Sequence, residues 1–217
     1  KIIHIGFGKS GSTWLQNSIF PILCKEKNIK LIDLRNYWKT KKIKFKISPL
    51  EIINSKKLPN KFLITEESIV CKFWEHDNSQ KSFNVIKNKF DRNTIIIMVI
   101  RKPSDFLRSL FIQRSYHELN FLEPSNFFIL KKNKNKKKYN LKNFNYEKII
   151  RLYKSYFKNV YVFENNDKKK IYKLKKIFKI KKNLKFKKVH LNKNTSYSSN
   201  IINFLIFLNK FINIKKI

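Results

Sequence analysis

The chain of 217 residues has only three glycines, and all of them lie in one short stretch near its beginning, at positions 6, 8 and 11. An apolar run at residues 2–5 precedes this stretch, and a helical pattern follows it from about residue 11. Glycines at such a junction let the backbone approach a ligand closely, and the loop amides attract an anion together with the positive end of the following helix. Lys9 adds a positive charge. These residues therefore predict a phosphate-binding loop between a strand and a helix.

The spacing of this loop differs at one position from the phosphate loop of nucleotide-hydrolysing proteins, G-x-x-x-x-G-K-[ST]. Gly6, Gly11 and Thr13 match that pattern. Ser12 stands where the lysine belongs, and Lys9 comes three residues earlier. Taken alone, the loop leaves two other interpretations open: a degenerate nucleotide loop, and a glycine turn that only joins a strand to a helix.

A second candidate for anion binding follows the most apolar run of the chain. Residues 95–100 are predicted to form a strand buried on both faces of a parallel sheet, and Arg101 comes directly after them. A helical pattern begins after Pro103, and Ser109 lies eight residues after Arg101. Arginine presents a planar set of donors to a phosphate and serine adds a neutral donor, whereas a nucleotide hydrolase more often has an acidic metal ligand at this point. The alternative is that both are ordinary surface residues.

In order and spacing, the two segments resemble the cofactor-binding motifs of the sulfotransferases that use 3′-phosphoadenosine 5′-phosphosulfate (PAPS). The first segment is similar to the 5′-phosphosulfate loop of that family. The second is similar to its 3′-phosphate motif, in which a strand ends in Arg-x-Pro and a serine follows about two turns into the next helix. The resemblance implies that PAPS binds to Lys9, Ser10, Gly11, Ser12, Thr13, Trp14, Arg101 and Ser109.

The resemblance also implies the reaction, in which an acceptor hydroxyl attacks the sulfur of PAPS and the bisphosphate nucleotide leaves. Lys9 is expected to stabilise the oxygen that bridges sulfur and the 5′-phosphate. The loop amides, with the hydroxyls of Ser12 and Thr13, are expected to hold the 5′-phosphate. Arg101 and Ser109 are expected to hold the 3′-phosphate. No metal is expected, because lysine and arginine supply the charge that magnesium supplies in kinases.

The base for the acceptor proton is predicted at the end of the third strand, where Glu66 and Glu67 follow an apolar run. In the carbohydrate sulfotransferases that the chain resembles, a glutamate near this point acts as base. Adjacent strand residues point in opposite directions, so only one of the two can face the cleft. We expect this to be Glu67, with Glu66 as the alternative. The structural alternative is that both carboxylates are solvated and interact with nearby lysines. His4, in an apolar strand, is expected to be a core residue.

Two features distinguish the chain from the cytosolic members of that family. It is short, and it has no match to their glycine-rich basic C-terminal motif, which holds the 3′-phosphate and the adenine. Both features favour the branch that resembles bacterial and Golgi-type carbohydrate sulfotransferases, so a glycan hydroxyl is the expected acceptor. The segment at residues 192–196 is a candidate to cover the nucleotide, and a polar turn before the last helix is the alternative.

The composition is strongly basic, with 50 Lys and Arg against 14 Asp and Glu and a formal net charge of +36. Such a charge is typical of proteins that bind nucleic acid or anionic membranes. The excess is mostly lysine, spread along the chain with many Asn, Ile and Phe, and all four residues have A/T-rich codons. We attribute it mainly to genome composition, and we expect no specific nucleic-acid partner and weak association with anionic surfaces. A P-loop kinase or nucleotide-binding protein and a basic nucleic-acid-binding module stay open as alternative functions.

The order of predicted elements indicates an α/β fold. Strands are predicted at 2–6, 28–34, 61–65, 94–100 and 160–163, helices at 11–25, 49–55, 79–90, 103–119, 145–157, 168–180 and 200–212, and a lysine-rich loop at 127–140. This alternation predicts a three-layer fold with a central, mostly parallel sheet, similar to the P-loop NTPase-like fold of the sulfotransferases, as one domain over residues 1–217. The ligand is expected at the carboxyl ends of the strands. Cys24 and Cys71 form no disulfide framework and no run is long enough to span a bilayer, so a cytoplasmic location is expected.

Overall fold

The structure is a computed structural model that describes residues 1–7, 10–34, 49–55, 57–69, 79–118, 128–129, 139–140, 145–182, 184, 186 and 207. Several sequence predictions lie outside these residues. They concern Lys9, Cys71, the segment at 192–196 and, apart from Phe207, the last helix at 200–212.

Five apolar segments of the sequence form a parallel sheet. They are β1 (Ile2–Gly6), β2 (Lys30–Asp33), β3 (Phe62–Glu66), β4 (Ile95–Ile100) and β7 (Asn159–Glu164). The strands lie in the order β2-β3-β1-β4-β7, so β1 is central. Every residue of β1 and β3 is buried, as expected for strands that are covered on both faces.

Helices cover both faces of this sheet. The longer helical segments of the described residues are α1 (Ser12–Trp14, Leu15–Ile19 and Phe20–Glu26, joined end to end), α2 (Pro49–Ser55), α3 (Ser79–Lys89), α4 (Pro103–Glu118), α5 (Tyr146–Lys154) and α6 (Lys170–Ile177). On one face, α2, α3 and α5 bury apolar side chains together with Ile3 and Ile5 of β1. On the other face, α1 and α6 do so with Ile2 of β1 and Val99 of β4. The predicted three-layer α/β architecture is therefore confirmed.

The first helix changes its winding along its length. Ser12–Trp14 is α-helical, Leu15–Ile19 is a π-helical turn, and Phe20–Glu26 is α-helical again. Pro21 lies just after the π-helical turn. Because proline has no N–H to donate to the preceding turn, the regular α-helical hydrogen bonding is interrupted there, and a π-helical turn is one way in which a helix continues past such a point.

The second strand begins later than the sequence predicted, at Lys30 instead of residue 28. Asn28 has a φ of 49°. Its N–H donates to the Lys25 carbonyl over 3.3 Å, and the N–H of Ile29 donates to the Cys24 carbonyl over 2.9 Å. These two bonds around a left-handed residue are the Schellman motif that ends a helix. Asn28 and Ile29 therefore belong to the end of α1.

The chain divides into two compact units. The first comprises residues 1–101 and 145–189, and it contains the five-stranded sheet with α1, α2, α3, α5 and α6. The second comprises residues 102–144 and 190–217. The single domain expected over residues 1–217 stays a prediction.

The second unit contains α4, which buries Phe106, Leu110 and Phe111. These three residues follow the helical spacing predicted after Pro103. Within the segment predicted as a loop at 127–140, the described residues instead form a short parallel strand pair, β5 (Phe128–Ile129) with β6 (Tyr139–Asn140). Across the described parts of the whole chain, no helix has both the length and the apolar character needed to cross a membrane.

Candidate functional site

The carboxyl ends of parallel strands meet at one edge of the sheet. β1 ends at Gly6, between β3, which ends at Glu66, and β4, which ends at Ile100. The chain leaves β1 for β2 on one side and later reaches β4 on the other side, so the direction of strand order reverses at β1. Ligands of open α/β sheets bind at such a point. The predicted phosphate-binding loop lies there.

The described part of the loop forms a tight turn into α1. The N–H of Ser10 donates to the Phe7 carbonyl over 3.1 Å, and Gly11 is left-handed with a φ of 78°. Ser10 and Ser12 are fully buried, with their hydroxyl oxygens 2.9 Å apart. Gly11 is the N-cap of α1, and no side-chain hydrogen bond caps this helix start among the described residues. A helix start that no side chain caps has backbone N–H groups that another acceptor can satisfy, as in helix starts that bind phosphate.

Two glycines let neighbouring side chains approach this turn. A Cβ on Gly6 would lie 2.9 Å from the hydroxyl oxygen of Ser12 and 3.6 Å from Cγ of Glu67. A Cβ on Gly11 would overlap the side chain of Asn165, whose Cγ would be 2.9 Å away, and the positive φ of Gly11 strains any larger residue. Glu67 and Asn165 therefore border the loop on two sides.

The two glutamates at the end of β3 have different surroundings. Glu66 is 5% exposed and alternates with Thr65, so it shares the sheet face of Ile64, on the side of α2, α3 and α5. Glu67 begins a short 3₁₀ turn (Glu67–Ile69), is partly buried, and places its Cγ close to Gly6. By position, Glu67 is the better candidate for the base; its role stays a prediction.

Arg101 follows β4 at the same edge of the sheet and is partly buried. Ile100 is in register with Glu164 of β7, and the N–H of Asn165 donates to the Ile100 carbonyl over 2.8 Å. The hydrogen bonding between β4 and β7 therefore extends to the residue before Arg101. Since Asn165 also borders Gly11, one residue connects the end of β4 with the loop.

The remaining predicted site residues are located as follows. Thr13 and Trp14 are partly buried in the first turn of α1, and Trp14 packs against the core between α1 and the sheet. Ser109 is partly buried in α4 of the second unit, and its part in the site stays a prediction. Lys9 lies outside the described residues, so its role stays a prediction too.

Lys170 is a basic residue near the loop that the sequence analysis did not find. It is the first residue of α6 and only 4% exposed. Its Nζ donates to the Asn165 carbonyl over 2.8 Å and lies 5.7 Å from the centroid of the Trp14 ring. The sequence signal that could have predicted its burial is its spacing from Leu174, because Lys170 shares a helix face with that buried residue. The consecutive lysines at 168–170 conceal which one is buried.

His4 is a buried core residue, as predicted. Its Nδ1 lies 2.7 Å from the hydroxyl oxygen of Thr65, and Gln16 Nε2 donates to the same hydroxyl over 3.1 Å. Its ring meets that of Phe20 edge to face, with centroids 5.0 Å apart. Burial, and secondly the charge of Lys170, lower the pKa of His4 to about 3. His4 is thus neutral near pH 7 and connects β1, β3 and α1; a base with so low a pKa is poorly matched to hydroxyl chemistry.

No protein-family model matches the chain, and no curated protein sequence matches it. Among the described residues, no three His, Cys, Asp or Glu side chains form a group that could hold a metal ion. The metal-free site implied by the resemblance stays a prediction. The functional conclusion therefore depends on the residues of the site.

Proposed function

We propose that the chain is a PAPS-dependent sulfotransferase that moves a sulfuryl group to an acceptor hydroxyl on a carbohydrate. The observation that supports the proposal is the occurrence of two features at adjacent strand ends that favour anion binding: the turn at Gly11 after β1, where no described side chain caps the helix start, and Arg101 after β4. A nucleotide with phosphates on both the 3′ and 5′ positions offers one anion to each feature. The carbohydrate acceptor follows from the resemblance alone.

The site departs from that of a nucleotide hydrolase at two positions. A hydrolase loop has its lysine immediately before the final Ser or Thr, where this chain has the buried Ser12. An acidic metal ligand is common at a nearby strand end, where this chain has Arg101. At both positions the chain lacks a residue that binds magnesium or a triphosphate in hydrolases. At the second position, Arg101 adds a donor for a further phosphate.

The contacts of the loop refine the roles of its hydroxyls. Because the hydroxyls of Ser10 and Ser12 lie within hydrogen-bond distance of each other, they brace the turn. The amides at the start of α1 then carry most of the interaction with the 5′-phosphate, and Thr13, which is partly buried, supplies the remaining hydroxyl.

In the proposed reaction, the acceptor oxygen forms a bond to sulfur while the bond from sulfur to the bridging oxygen of the 5′-phosphate breaks. The hydroxyl proton goes to the carboxylate of Glu67. The electron pair of the broken bond remains on the departing phosphate, where the loop amides and Lys9 stabilise the negative charge. Nothing is oxidised or reduced.

Calorimetric titration with adenosine 3′,5′-bisphosphate, the product nucleotide, tests this proposal beside ADP with magnesium. We expect the bisphosphate to bind without metal and more tightly than ADP. Arg101→Ala should weaken bisphosphate binding by about 10- to 100-fold, the range for a charged hydrogen-bonded contact. Lys102→Ala is the matched control, because Lys102 is the exposed neighbour and its loss changes the net charge equally.

Lys9→Ala is expected to reduce turnover more than bisphosphate affinity, because its proposed interaction is strongest with the charge that develops during transfer. Equal or tighter binding of ADP with magnesium would contradict the proposal and favour a kinase. So would an equal loss of affinity in Arg101→Ala and Lys102→Ala, since binding would then depend on net charge alone.

A further inference from the structure

Lys170 carries a buried positive charge that the proposed reaction does not use. Among the described residues, no carboxylate lies within salt-bridge distance of its Nζ, and its hydrogen bond is to a neutral acceptor, the Asn165 carbonyl. The carboxylate of Asp167 is paired with Lys173, 2.8 Å away. An ammonium has three N–H donors, and burial of a charge is unfavourable unless a counter-ion or further hydrogen bonds compensate it.

The ammonium lies near the side chain of Trp14, which belongs to the first turn of α1, the end of the helix that is already positive. Its Nζ is 5.7 Å from the centroid of the Trp14 ring, two residues after the start of that helix. Asn165 connects it to the loop, because the Asn165 carbonyl accepts from Lys170 while the Asn165 side chain borders Gly11. Two positive features therefore lie together, and the described carboxylate whose charge acts on Lys170, that of Asp167, is already paired with Lys173. This favours an anion as a further compensating group.

We infer that Lys170 is a positioning residue for the phosphate held by the loop: its buried ammonium supplies positive charge at the first turn of α1 and fixes Asn165 against Gly11. The phosphate then adds to the compensation that the lysine receives from Asp167, whose carboxylate is paired with Lys173. The inference rests on the proposed function only in taking that phosphate to be the 5′-phosphate of a nucleotide. Because Lys170 is shielded from solvent, salt screens its charge less than it screens the exposed lysines of the chain.

The ionisation of Lys170 agrees with this arrangement. Burial lowers its pKa, and the charge of Asp167 raises it. His4 of β1, whose pKa is lowered by burial and by the charge of Lys170, is neutral near pH 7 and adds no second positive charge. A phosphate in the loop is expected to favour the charged form of the lysine.

The test measures how much the 5′-phosphate adds to binding. Calorimetry gives the dissociation constants of adenosine 3′,5′-bisphosphate and of adenosine 3′-monophosphate. The 5′-phosphate effect is the dissociation constant of the monophosphate divided by that of the bisphosphate. Lys170→Met should reduce this ratio by about tenfold or more, the usual range for loss of a charged partner. Lys170→Arg, which keeps the charge, should retain most of it. Lys169→Met removes an exposed neighbour with the same charge and should leave the ratio unchanged.

A purely structural lysine would give a different result. Methionine fills a similar volume without a buried charge, so Lys170→Met should not lower the melting temperature of the ligand-free protein. An unchanged 5′-phosphate effect in Lys170→Met, with or without a fall in melting temperature, would overturn the inference while leaving the sulfotransferase proposal intact.

A failure of the proposed function gives a different result from a failure of the inference about Lys170. If the native protein prefers ADP with magnesium, the 5′-phosphate effect is measured instead as the dissociation constant of adenosine divided by that of adenosine 5′-monophosphate. Its reduction in Lys170→Met would still support the inference. Absence of any 5′-phosphate effect in the native protein would contradict both proposals.

Discussion

Two side chains approach the loop because glycine leaves room for them. Glu67 lies next to Gly6, and Asn165 lies next to Gly11, which is also held in a left-handed conformation. One neighbour is a carboxylate that can accept a proton, and the other is a neutral amide whose backbone carbonyl holds Lys170. The carboxylate proposed as base and the turn proposed to bind phosphate are thus adjacent, which is the arrangement that transfer to a hydroxyl needs.

Replacement of Glu67 by glutamine tests its role directly. Glu67→Gln should lower kcat for sulfuryl transfer from PAPS by about 10²- to 10⁴-fold, the usual contribution of a general base. The affinity for adenosine 3′,5′-bisphosphate should change little, because glutamine keeps the shape and removes only the proton acceptor. Turnover with labelled PAPS and a glycan acceptor gives the first quantity, and calorimetry gives the second.

Glu66→Gln is the matched control for that experiment. Glu66 is the last residue of β3 and shares the sheet face of Ile64, whereas Glu67 begins the 3₁₀ turn beside Gly6. Replacement of Glu66 should therefore leave kcat within a few-fold of the native value. A large loss of kcat in Glu66→Gln with native turnover in Glu67→Gln would reverse the assignment.

At this scale the sequence predicts some residues of the site and not others. Gly11, Ser12 and Glu67 were predicted because each lies inside a local pattern, a loop or a strand end. Asn165 and Lys170 come to the loop only through the pairing of β4 with β7, which joins segments far apart in the chain. No local sequence pattern predicts that pairing of strands.

The elements that support the loop are joined by a small polar group inside the core. His4 of β1 and Gln16 of α1 both contact the hydroxyl of Thr65 in β3. The neighbouring side chains are apolar, so these contacts specify how α1 sits on the two strands. His4 Nε2 and Gln16 Oε1 are buried without a hydrogen-bond partner among the described residues. The group therefore tolerates the neutral form of the histidine and disfavours its protonation.

Stability should depend on pH through His4. Its pKa in the folded protein is about 3, below the ordinary value of 6.5. The unfolded chain therefore binds a proton that the native protein does not, and the stability that His4 contributes above pH 6.5 is lost as the pH falls from 6.5 towards 3. The loss is at most about 1.4 kcal/mol for each pH unit in that window.

The variant His4→Gln isolates this contribution, because glutamine keeps a polar group for Thr65 but does not titrate. Between about pH 7 and about pH 5, the free energy of unfolding of the native protein should fall by about 2 kcal/mol more than that of the variant. Urea denaturation at the two pH values measures both. Parallel pH dependence in the two proteins would show that His4 is not held neutral.

The helices and strands follow from local patterns where those patterns are strong. The strand predicted at 2–6 has those bounds, the strand predicted at 94–100 begins one residue later, at Ile95, and Pro49 marks the beginning of α2. The start of β2 was misplaced because Asn28 takes a left-handed conformation and extends the end of α1. Apolar periodicity does not distinguish a strand residue such as Leu31 from Ile29, which closes the Schellman motif.

The whole molecule carries a net charge of +36, whatever the origin of its composition. Such a field attracts anions from beyond contact distance, and salt weakens it over a Debye length of about 10 Å at 0.1 M. The effect should appear in the rate of arrival of an anionic nucleotide more than in the rate of its departure. A specific site and a general field can therefore be separated by kinetics.

Raising salt from about 50 mM to about 500 mM should slow association of adenosine 3′,5′-bisphosphate by about tenfold or more, with a much smaller change in dissociation. Stopped-flow fluorescence measures both rates, and adenosine, which is neutral, is the control ligand whose association should not respond. A salt-independent association rate for the bisphosphate would contradict this account of the charge.

The alternative of a basic nucleic-acid-binding module makes a different prediction at the same scale. It requires tight, steeply salt-dependent binding to any polyanion and no preference for a nucleotide with a 3′-phosphate. If single-stranded oligonucleotides compete with the bisphosphate only at low salt, the net positive charge of the protein explains their binding. Competition that persists at high salt would favour the module.

The structure of the chain bound to adenosine 3′,5′-bisphosphate tests the central claim most directly. We predict that the 5′-phosphate oxygens lie about 2.7–3.2 Å from the amide nitrogens at Gly11, Ser12 and Thr13, and that the 3′-phosphate lies at the same distance from the guanidinium of Arg101. A nucleotide whose 3′-phosphate makes no contact with Arg101, or whose 5′-phosphate lies away from the loop, would contradict the claim that this edge of the sheet is a PAPS site.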